Sequence, residues 1–256
     1  MNALPAGRFR PIGLDEIPSE AELLQRVDRK YILLRADARR MIAGMDDNTR
    51  VLQVEGLSGL CYESVYFDTP ELLSYRMAAL ARRRRIKVRT RSYLDSGVAY
   101  LEAKARGSRS RTLKDRIDYA IEDRDHLTGE GRDYAQEALL AAGLPADKAG
   151  ELDPTLATRY TRTTLLPPGT GSRVTVDTDL AWENADGDTL ELPHLAIVET
   201  KSPGGASDTD RLLWRAGVRP VTISKYGTGL AAIRGDLPDN KWSRVLNRYF
   251  GESRAS

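Results

Sequence analysis

This chain of 256 residues is long enough for one large domain or two small ones, and its 41% hydrophobic and 30% charged residues exclude a disordered protein. Its 39 basic and 37 acidic residues leave a net charge of only +2, which argues against a general nucleic-acid-binding protein. One cysteine excludes an intrachain disulfide, and no apolar run suits a membrane span or a signal peptide. We therefore expect a cytoplasmic protein with no membrane segment.

Hydrophobic periodicity and turn residues predict the elements of the first half in chain order. The Pro- and Gly-rich residues 1–18 are expected to form a flexible lead-in, and Ser19 with Glu22 begins a predicted helix that extends to residue 27. Strands are then predicted over 28–34, 49–55 and 61–69. Helices are predicted over 36–45 and, from Pro70, over 70–81.

The second half is richer in strand patterns. Strands are predicted over 84–93, 99–106, 112–121, 156–166, 172–184 and 194–202. Helices are predicted over 134–144, 209–217 and 224–234, and residues 236–256 are expected to form a C-terminal helix and tail. The pattern predicts one α+β domain over residues 19–235 with a mostly antiparallel sheet. Eight or more strands usually close into a barrel or pack as a sandwich.

Familiar motifs for nucleotide and metal binding are absent from the sequence. It has neither GxGxxG nor GxxxxGK[ST], so a Rossmann fold and a P-loop lose their usual signal. The two histidines, His126 and His194, have no metal-ligand spacing and no adjacent nucleophile. Any anion-binding site must therefore be built from other residues.

Charged residues recur at alternate positions of the predicted strands. Because successive side chains of a strand face opposite ways, Lys87, Arg89 and Arg91 share a face, while Ile86 and Val88 lie opposite. The same parity groups Glu102 with Lys104, Lys114 with Arg116, Tyr160 with Arg162, Arg173 with Asp177, and Glu199 with Lys201. For one strand a solvated face explains the pattern. Its recurrence in at least five strands instead indicates a basic interior that requires a polyanion, such as a triphosphate or polyphosphate.

Eight motifs occur in a fixed order. They are DRKY (28–31), VYFDTPELLSYR (65–76), RRRRIKVRTRSY (82–93), LEAK (101–104), RYTRT (159–163), RVTVDTDL (173–180), IVETKS (197–202) and RPVTISKYGTGL (219–230). Together they resemble the polyphosphate polymerase domain of the vacuolar transporter chaperone (VTC) family. This family is one of the triphosphate tunnel metalloenzymes, which are relatives of the CYTH phosphatases and cyclases. The resemblance covers residues 26–232.

The resemblance implies a closed tunnel of eight antiparallel strands, a triphosphate such as ATP as substrate, and Mn²⁺ or Mg²⁺ as cofactor. It implies phosphate contacts from Lys30, Arg89, Arg91, Lys104, Lys114, Arg162, Arg173 and Lys225. Tyr160 is expected near the nucleotide base, Glu199 as the main metal ligand, and Glu102 as a weaker one. Strand parity adds Lys87, Arg116 and Lys201 as further phosphate contacts.

One motif departs from the wider superfamily, whose first strand carries a Glu-x-Glu-x-Lys metal-binding sequence. Here Arg26 and Asp28 precede Lys30 in place of the two glutamates. This resembles the polymerase branch more than the CYTH phosphatases, and it leaves Glu199, with Asp28 or Glu102, to hold metal.

Three functions remain open from the sequence. The first is a polyphosphate polymerase whose partners are ATP and polyphosphate, without a specific nucleic acid. The second is a tunnel triphosphatase that hydrolyses inorganic triphosphate or a nucleotide. The third is a non-catalytic polyanion-binding module. The sequence makes no prediction of oligomeric state.

Overall fold

The structure is a computed structural model that describes residues 4–17, 26–106, 112–169 and 171–251. Within these ranges it contains eleven strands and six α-helices. The strands are β1 (Arg10–Ile12), β2 (Arg26–Leu34), β3 (Arg50–Leu52), β4 (Leu60–Asp68), β5 (Val88–Tyr93), β6 (Val98–Arg106), β7 (Thr112–Tyr119), β8 (Asp153–Leu166), β9 (Arg173–Asn184), β10 (Thr189–Leu192) and β11 (Leu195–Pro203). The helices are α1 (Arg35–Ala43), α2 (Leu73–Ala79), α3 (Gly129–Ala142), α4 (Asp208–Arg215), α5 (Lys225–Ile233) and α6 (Ser243–Tyr249).

The chain divides into two compact units. The first comprises Met1–Cys61, Tyr160–Leu180 and Glu191–Thr222, and the second comprises Tyr62–Arg159, Ala181–Leu190 and Ile223–Ser256. Every strand predicted in the described part is present, and the fold is α+β with a large antiparallel sheet, as the sequence predicts. None of the helices within the described ranges is long and apolar enough to span a membrane.

In the first unit the strand order is β2-β11-β9-β8, and β3 pairs with β8. β2 and β11 are antiparallel, and their register places Lys30 opposite Glu199. One face of these strands packs against α1 and α4 through a buried apolar cluster that includes Tyr31, Val176 and Val198. Because side chains alternate along a strand, Lys30 and Glu199 point to the opposite face from this core.

Residues 10–12, within the expected lead-in, form a strand that the sequence analysis did not predict. β1 pairs in parallel with β3, and the side chains of Phe9 and Ile12 are buried. The expected flexible lead-in therefore does not describe residues 10–12, because apolar side chains hold this short strand on the core. The helix predicted from Ser19 lies outside the described residues except for positions 26–27, which belong to β2.

In the second unit the strand order is β8-β4-β5-β6-β7. The antiparallel register places Arg89 opposite Glu102 and Glu102 opposite Arg116. Val88 and Leu101 belong to a buried cluster that packs on α3. β5 begins at Val88 rather than at the predicted residue 84. In the preceding segment Arg85 forms an isolated bridge with Arg106, and Lys87 exchanges two backbone hydrogen bonds with Lys104. This unit therefore also has one apolar face and one charged face.

The predicted closure of the strands into an eight-stranded barrel is wrong in this detail. The strand order begins at β2 and ends at β7, and no pairing in the described residues joins these two strands. The reason is that a period of two in charge and hydrophobicity is the same in an open sheet and in a barrel. The sequence pattern identifies which face is polar, but it does not fix whether the last strand meets the first.

Candidate functional site

A carboxylate lies between two ammonium groups on the charged face of the first unit. The Nζ atom of Lys30 is 3.9 Å from Oε2 of Glu199, and the Nζ atom of Lys201 is 3.9 Å from Oε1. The strand register explains the geometry, since Lys30 faces Glu199 across β2 and β11, and Lys201 follows Glu199 by two residues on the same face. The Glu199 side chain is only 20% exposed.

An arginine is fixed beside this carboxylate by the hairpin of β8 and β9. Arg162 donates from Nε and Nη2 to the two carboxylate oxygens of Asp177, at 2.6 and 2.8 Å. Its guanidinium also lies 5.2 Å from the ring centre of Tyr160, which is buried. Such a two-point contact holds the planar guanidinium in one orientation. We refer to Lys30, Arg162, Asp177, Glu199 and Lys201 as the Glu199 cluster.

The Glu199 cluster keeps its central carboxylate ionised. Burial alone raises the pKa of Glu199, but the positive charges of Lys30, Lys201 and Arg162 outweigh burial and the charge of Asp177, and lower this pKa to about 2. Each added cation favours the charged form of a neighbouring carboxylate. Glu199 is therefore an anion throughout the neutral pH range.

The Glu199 cluster suits a divalent cation only together with a phosphate ligand. In the described residues no group of three His, Cys, Asp or Glu side chains could hold a metal ion. Glu199 has Asp177 as its carboxylate neighbour, and Asp177 is bound by Arg162. Mg²⁺ is commonly held by one or two protein carboxylates plus substrate phosphates, and the single ionised Glu199 fits that arrangement.

A second charged cluster lies on β5 and β6 in the second unit. Arg89 donates from Nε and Nη2 to Oε2 of Glu102, at 2.9 and 2.8 Å, and Nη2 of Arg91 lies 3.5 Å from the same oxygen. Each of the three side chains is about one-fifth exposed. Glu102, a candidate metal ligand in the sequence, thus already neutralises two arginines. This contact favours a role in positioning Arg89.

Two tyrosines that the sequence analysis did not select support these cations. Arg89 donates from Nη1 to the hydroxyl of Tyr66 at 3.0 Å, and the Tyr66 ring stacks on Tyr226 with 5.0 Å between centroids. The Nζ atom of Lys87 lies 5.6 and 5.7 Å from the centres of these two rings and donates to Oγ of Ser224 at 3.0 Å. We refer to Tyr66, Lys87, Arg89, Arg91 and Glu102 as the Arg89 cluster. The sequence positions of Tyr66 and Tyr226 do not predict this contact, because the two rings meet only through the tertiary fold.

The remaining predicted phosphate contacts lie at separate positions. Lys104 is an exposed residue of β6, and Arg116 of β7 stacks on Tyr100 at 4.3 Å from the ring centre. Arg173 is the half-buried first residue of β9, and its register partner is Lys201. Lys225 is the first residue of α5. Lys114 pairs with Lys104 through the backbone, but its side chain lies outside the described structure.

Replacing Tyr66 by Phe tests whether this hydroxyl positions Arg89. The change keeps the ring beside Lys87 and removes one hydrogen bond of about 0.5–1.5 kcal/mol, so affinity for tripolyphosphate is expected to fall about two- to thirteenfold. The affinity is measured by calorimetry without metal. Tyr249→Phe is the matched control, because its ring also lies beside an arginine, Arg248. Equal affinities of Tyr66→Phe and the unmodified protein would contradict the positioning role.

Comparisons with known proteins identify the family. No curated protein matches the chain. The crystal structure of a candidate adenylate cyclase from Bacillus halodurans matches with 13% sequence identity and a TM-score of 0.48, over 78% of this chain and 94% of that one. A candidate adenylyl cyclase from Hippeastrum with a dominant triphosphatase activity is 16% identical, with a TM-score of 0.47, over 85% of this chain and 100% of that one. The sequence profile of the VTC domain matches residues 25–234, which is most of the chain and confirms the resemblance carried by the ordered motifs. The chain belongs to the VTC domain family.

Proposed function

We propose that this protein is a polyphosphate polymerase that transfers the γ-phosphate of ATP to the end of a growing polyphosphate chain. The observation that carries the proposal is the Glu199 cluster, in which an ionised carboxylate lies between Lys30 and Lys201 beside the oriented Arg162. A cluster with more cations than carboxylates suits a ligand with several negative charges. Membership of the VTC domain family supports the same choice of ligand.

The cations of the Glu199 cluster have two separable roles in this proposal. Lys30 and Lys201 bind phosphate oxygens as mobile point charges, whereas Arg162 presents a planar donor pair whose orientation Asp177 fixes. Glu199 would hold Mn²⁺ or Mg²⁺ together with the substrate phosphates, and the cation would neutralise charge on the transferred phosphoryl group. We propose Arg89, Arg91 and Lys87 of the second unit as further phosphate contacts.

The transfer requires no nucleophile from the protein. A terminal oxygen of the polyphosphate chain forms a new bond to the γ-phosphorus of ATP, and the bond from that phosphorus to the bridging β,γ-oxygen breaks. ADP leaves with the electron pair of the broken bond, and the chain becomes one phosphate longer. Positioning and charge stabilisation are the usual protein contributions to phosphoryl transfer, and fixed cations such as Arg162 supply them.

Product analysis tests the proposal directly. Purified protein is incubated with ATP and Mn²⁺, and long polyphosphate is expected on a gel, with ADP formed in proportion. Arg162→Met is the control, since it removes the oriented cation and is expected to lower product formation at least tenfold. Release of orthophosphate alone would instead identify a triphosphatase with water as acceptor. Binding of ATP without any product would identify a non-catalytic polyanion-binding module.

A further inference from the structure

A separate group of three cations lies in the second unit, at one end of β6. Arg85 and Arg106 form an isolated antiparallel bridge, with Arg85 N donating to Arg106 O at 3.2 Å and Arg106 N donating to Arg85 O at 2.8 Å. Residues that exchange both hydrogen bonds lie about 5.5 Å apart at Cα and share a face. Lys241, in the turn before α6, is close enough for its charge to interact with both arginines. We refer to these three residues as the Arg85 cluster.

The adjacent cross-strand pair also consists of two cations. Lys87 N donates to Lys104 O at 3.0 Å, and Lys104 N donates to Lys87 O at 2.8 Å. The next pair along the strands, Arg89 and Glu102, is the first in which a carboxylate faces a cation. Like charges opposite each other destabilise a sheet, and an anion bound beside the Arg85 and Arg106 pair would offset that repulsion.

The Arg85 cluster has no carboxylate partner in the part of the chain that the structure describes, and Nη1 of Arg85 donates to the backbone oxygen of Arg82 at 3.3 Å. The Nε atom of Arg106 is buried, and it has no hydrogen-bond partner there either. Burial, followed by the charges of Arg85 and Arg106, lowers the pKa of Lys241. Burial and the charge of Arg106 likewise lower the pKa of Arg85. A buried donor without an acceptor and three mutually repelling cations are both relieved by a bound anion.

The position of the Arg85 cluster indicates the length of that anion. Glu102 and Arg106 are four residues apart on β6, which corresponds to about 13 Å along an extended strand. A triphosphate held by Arg89 and Arg91 does not extend over that distance, whereas a chain of many phosphates does. Lys87, which belongs to the Arg89 cluster, and Lys104 lie between these two positions and continue the positive charge toward the Arg85 cluster.

We propose that Arg85, Arg106 and Lys241 bind phosphate groups of an extended polyphosphate chain and give the protein a preference for long polyphosphate over tripolyphosphate. This inference rests on the proposed function for the identity of the polyanion. It adds a binding site beyond the Glu199 and Arg89 clusters. The residues of this site contact no carboxylate of either cluster. Its consequence is a polymerase that holds its lengthening product more tightly than a short one.

The experiment compares two ligands, tripolyphosphate and long-chain polyphosphate, by calorimetry without metal at several salt concentrations. The variant carries Arg85→Gln, Arg106→Gln and Lys241→Gln. The control carries Arg10→Gln, Arg40→Gln and Arg215→Gln, three exposed arginines outside the Arg85 cluster, so both proteins lose the same charge. The ratio of the affinity for long polyphosphate to that for tripolyphosphate is expected to be at least tenfold smaller in the variant than in the unmodified protein. Its binding of that chain should also depend less on salt, by about 2 in the slope of log K against log salt.

The outcomes separate this inference from the proposed function. An unmodified protein that makes polyphosphate but binds both ligands equally would overturn the inference and leave the polymerase proposal standing. A control that loses the preference as much as the variant would also overturn it, and so would tight binding of single-stranded RNA of equal charge. Because the substitutions remove mutual repulsion, the triple variant should keep the Tm of the unmodified protein. If it does not fold, Lys241→Gln alone is measured instead, and it should show a smaller loss of the preference for long polyphosphate.

Discussion

Glu199→Gln is expected to lower ATP-dependent turnover by about two to three orders of magnitude, because it removes the ionised carboxylate that lies between Lys30 and Lys201. Gln preserves the shape of the side chain, while the negative charge and one of the two acceptor oxygens are lost. Lys30 and Lys201 then lie near a neutral group, so metal-free affinity for tripolyphosphate should stay the same or rise. Turnover is measured by ADP release over a Mn²⁺ titration, and affinity by calorimetry.

Glu102→Gln is the matched comparison, because Glu102 is also a carboxylate bound to two cations. It is expected to release Arg89 and raise the KM for ATP, without changing the Mn²⁺ concentration that gives half-maximal turnover. Glu199→Gln should instead raise that Mn²⁺ concentration at least tenfold. If the two variants shift the Mn²⁺ dependence equally, both carboxylates are metal ligands and the assignment of Glu102 as a positioning residue is wrong. If neither shifts it, the metal is held elsewhere.

Strand parity predicted which side chains share a face, and the structure explains why this succeeded. In β5, Val88, Thr90 and Ser92 are buried, whereas Arg89 and Arg91 are only partly buried on the other side. This alternation is a geometric property of any extended strand and needs no knowledge of its neighbours. The ordered motifs similarly placed the chain in its family, since sequence similarity does not depend on the packing of the elements.

The partners of the charged residues could not be predicted in the same way. Asp177 was noted only as a residue on the same face as Arg173, yet its carboxylate is bound by Arg162 of the neighbouring strand β8. Glu102 was predicted as a weaker metal ligand, and its contact with Arg89, the residue opposite it in the register, was not predicted. Register is set by long-range strand pairing, and a shift of one residue would move every side chain to the other face. Parity therefore finds the face but not the ion pair.

The glycines of the SKYGTGL segment were predicted only as part of a helix, and the structure gives them a packing role. A Cβ atom at Gly229 would lie 2.3 Å from Cδ1 of Trp182, and a Cβ atom at Gly227 would lie 2.2 Å from Cη2 of Trp242. Both indoles are almost fully buried, and Nε1 of Trp182 donates to the backbone oxygen of Lys225 at 2.9 Å. The helix backbone thus packs directly on two tryptophans that have little room to move.

Gly229→Ala is therefore expected to destabilise the protein, although Ala favours a helix over Gly by about 1 kcal/mol. The clash forces Trp182 off its hydrogen bond with Lys225, and overpacking of this kind costs about 1–3 kcal/mol or more, so the free energy of unfolding should fall by about 2 kcal/mol. Gly129→Ala is the control, since no atom lies within 4 Å of its added Cβ in α3, and it should be neutral or stabilising. Urea unfolding followed by tryptophan fluorescence measures both. If Gly229→Ala is as stable as Gly129→Ala, then helix propensity outweighs the packing of Trp182 against this helix.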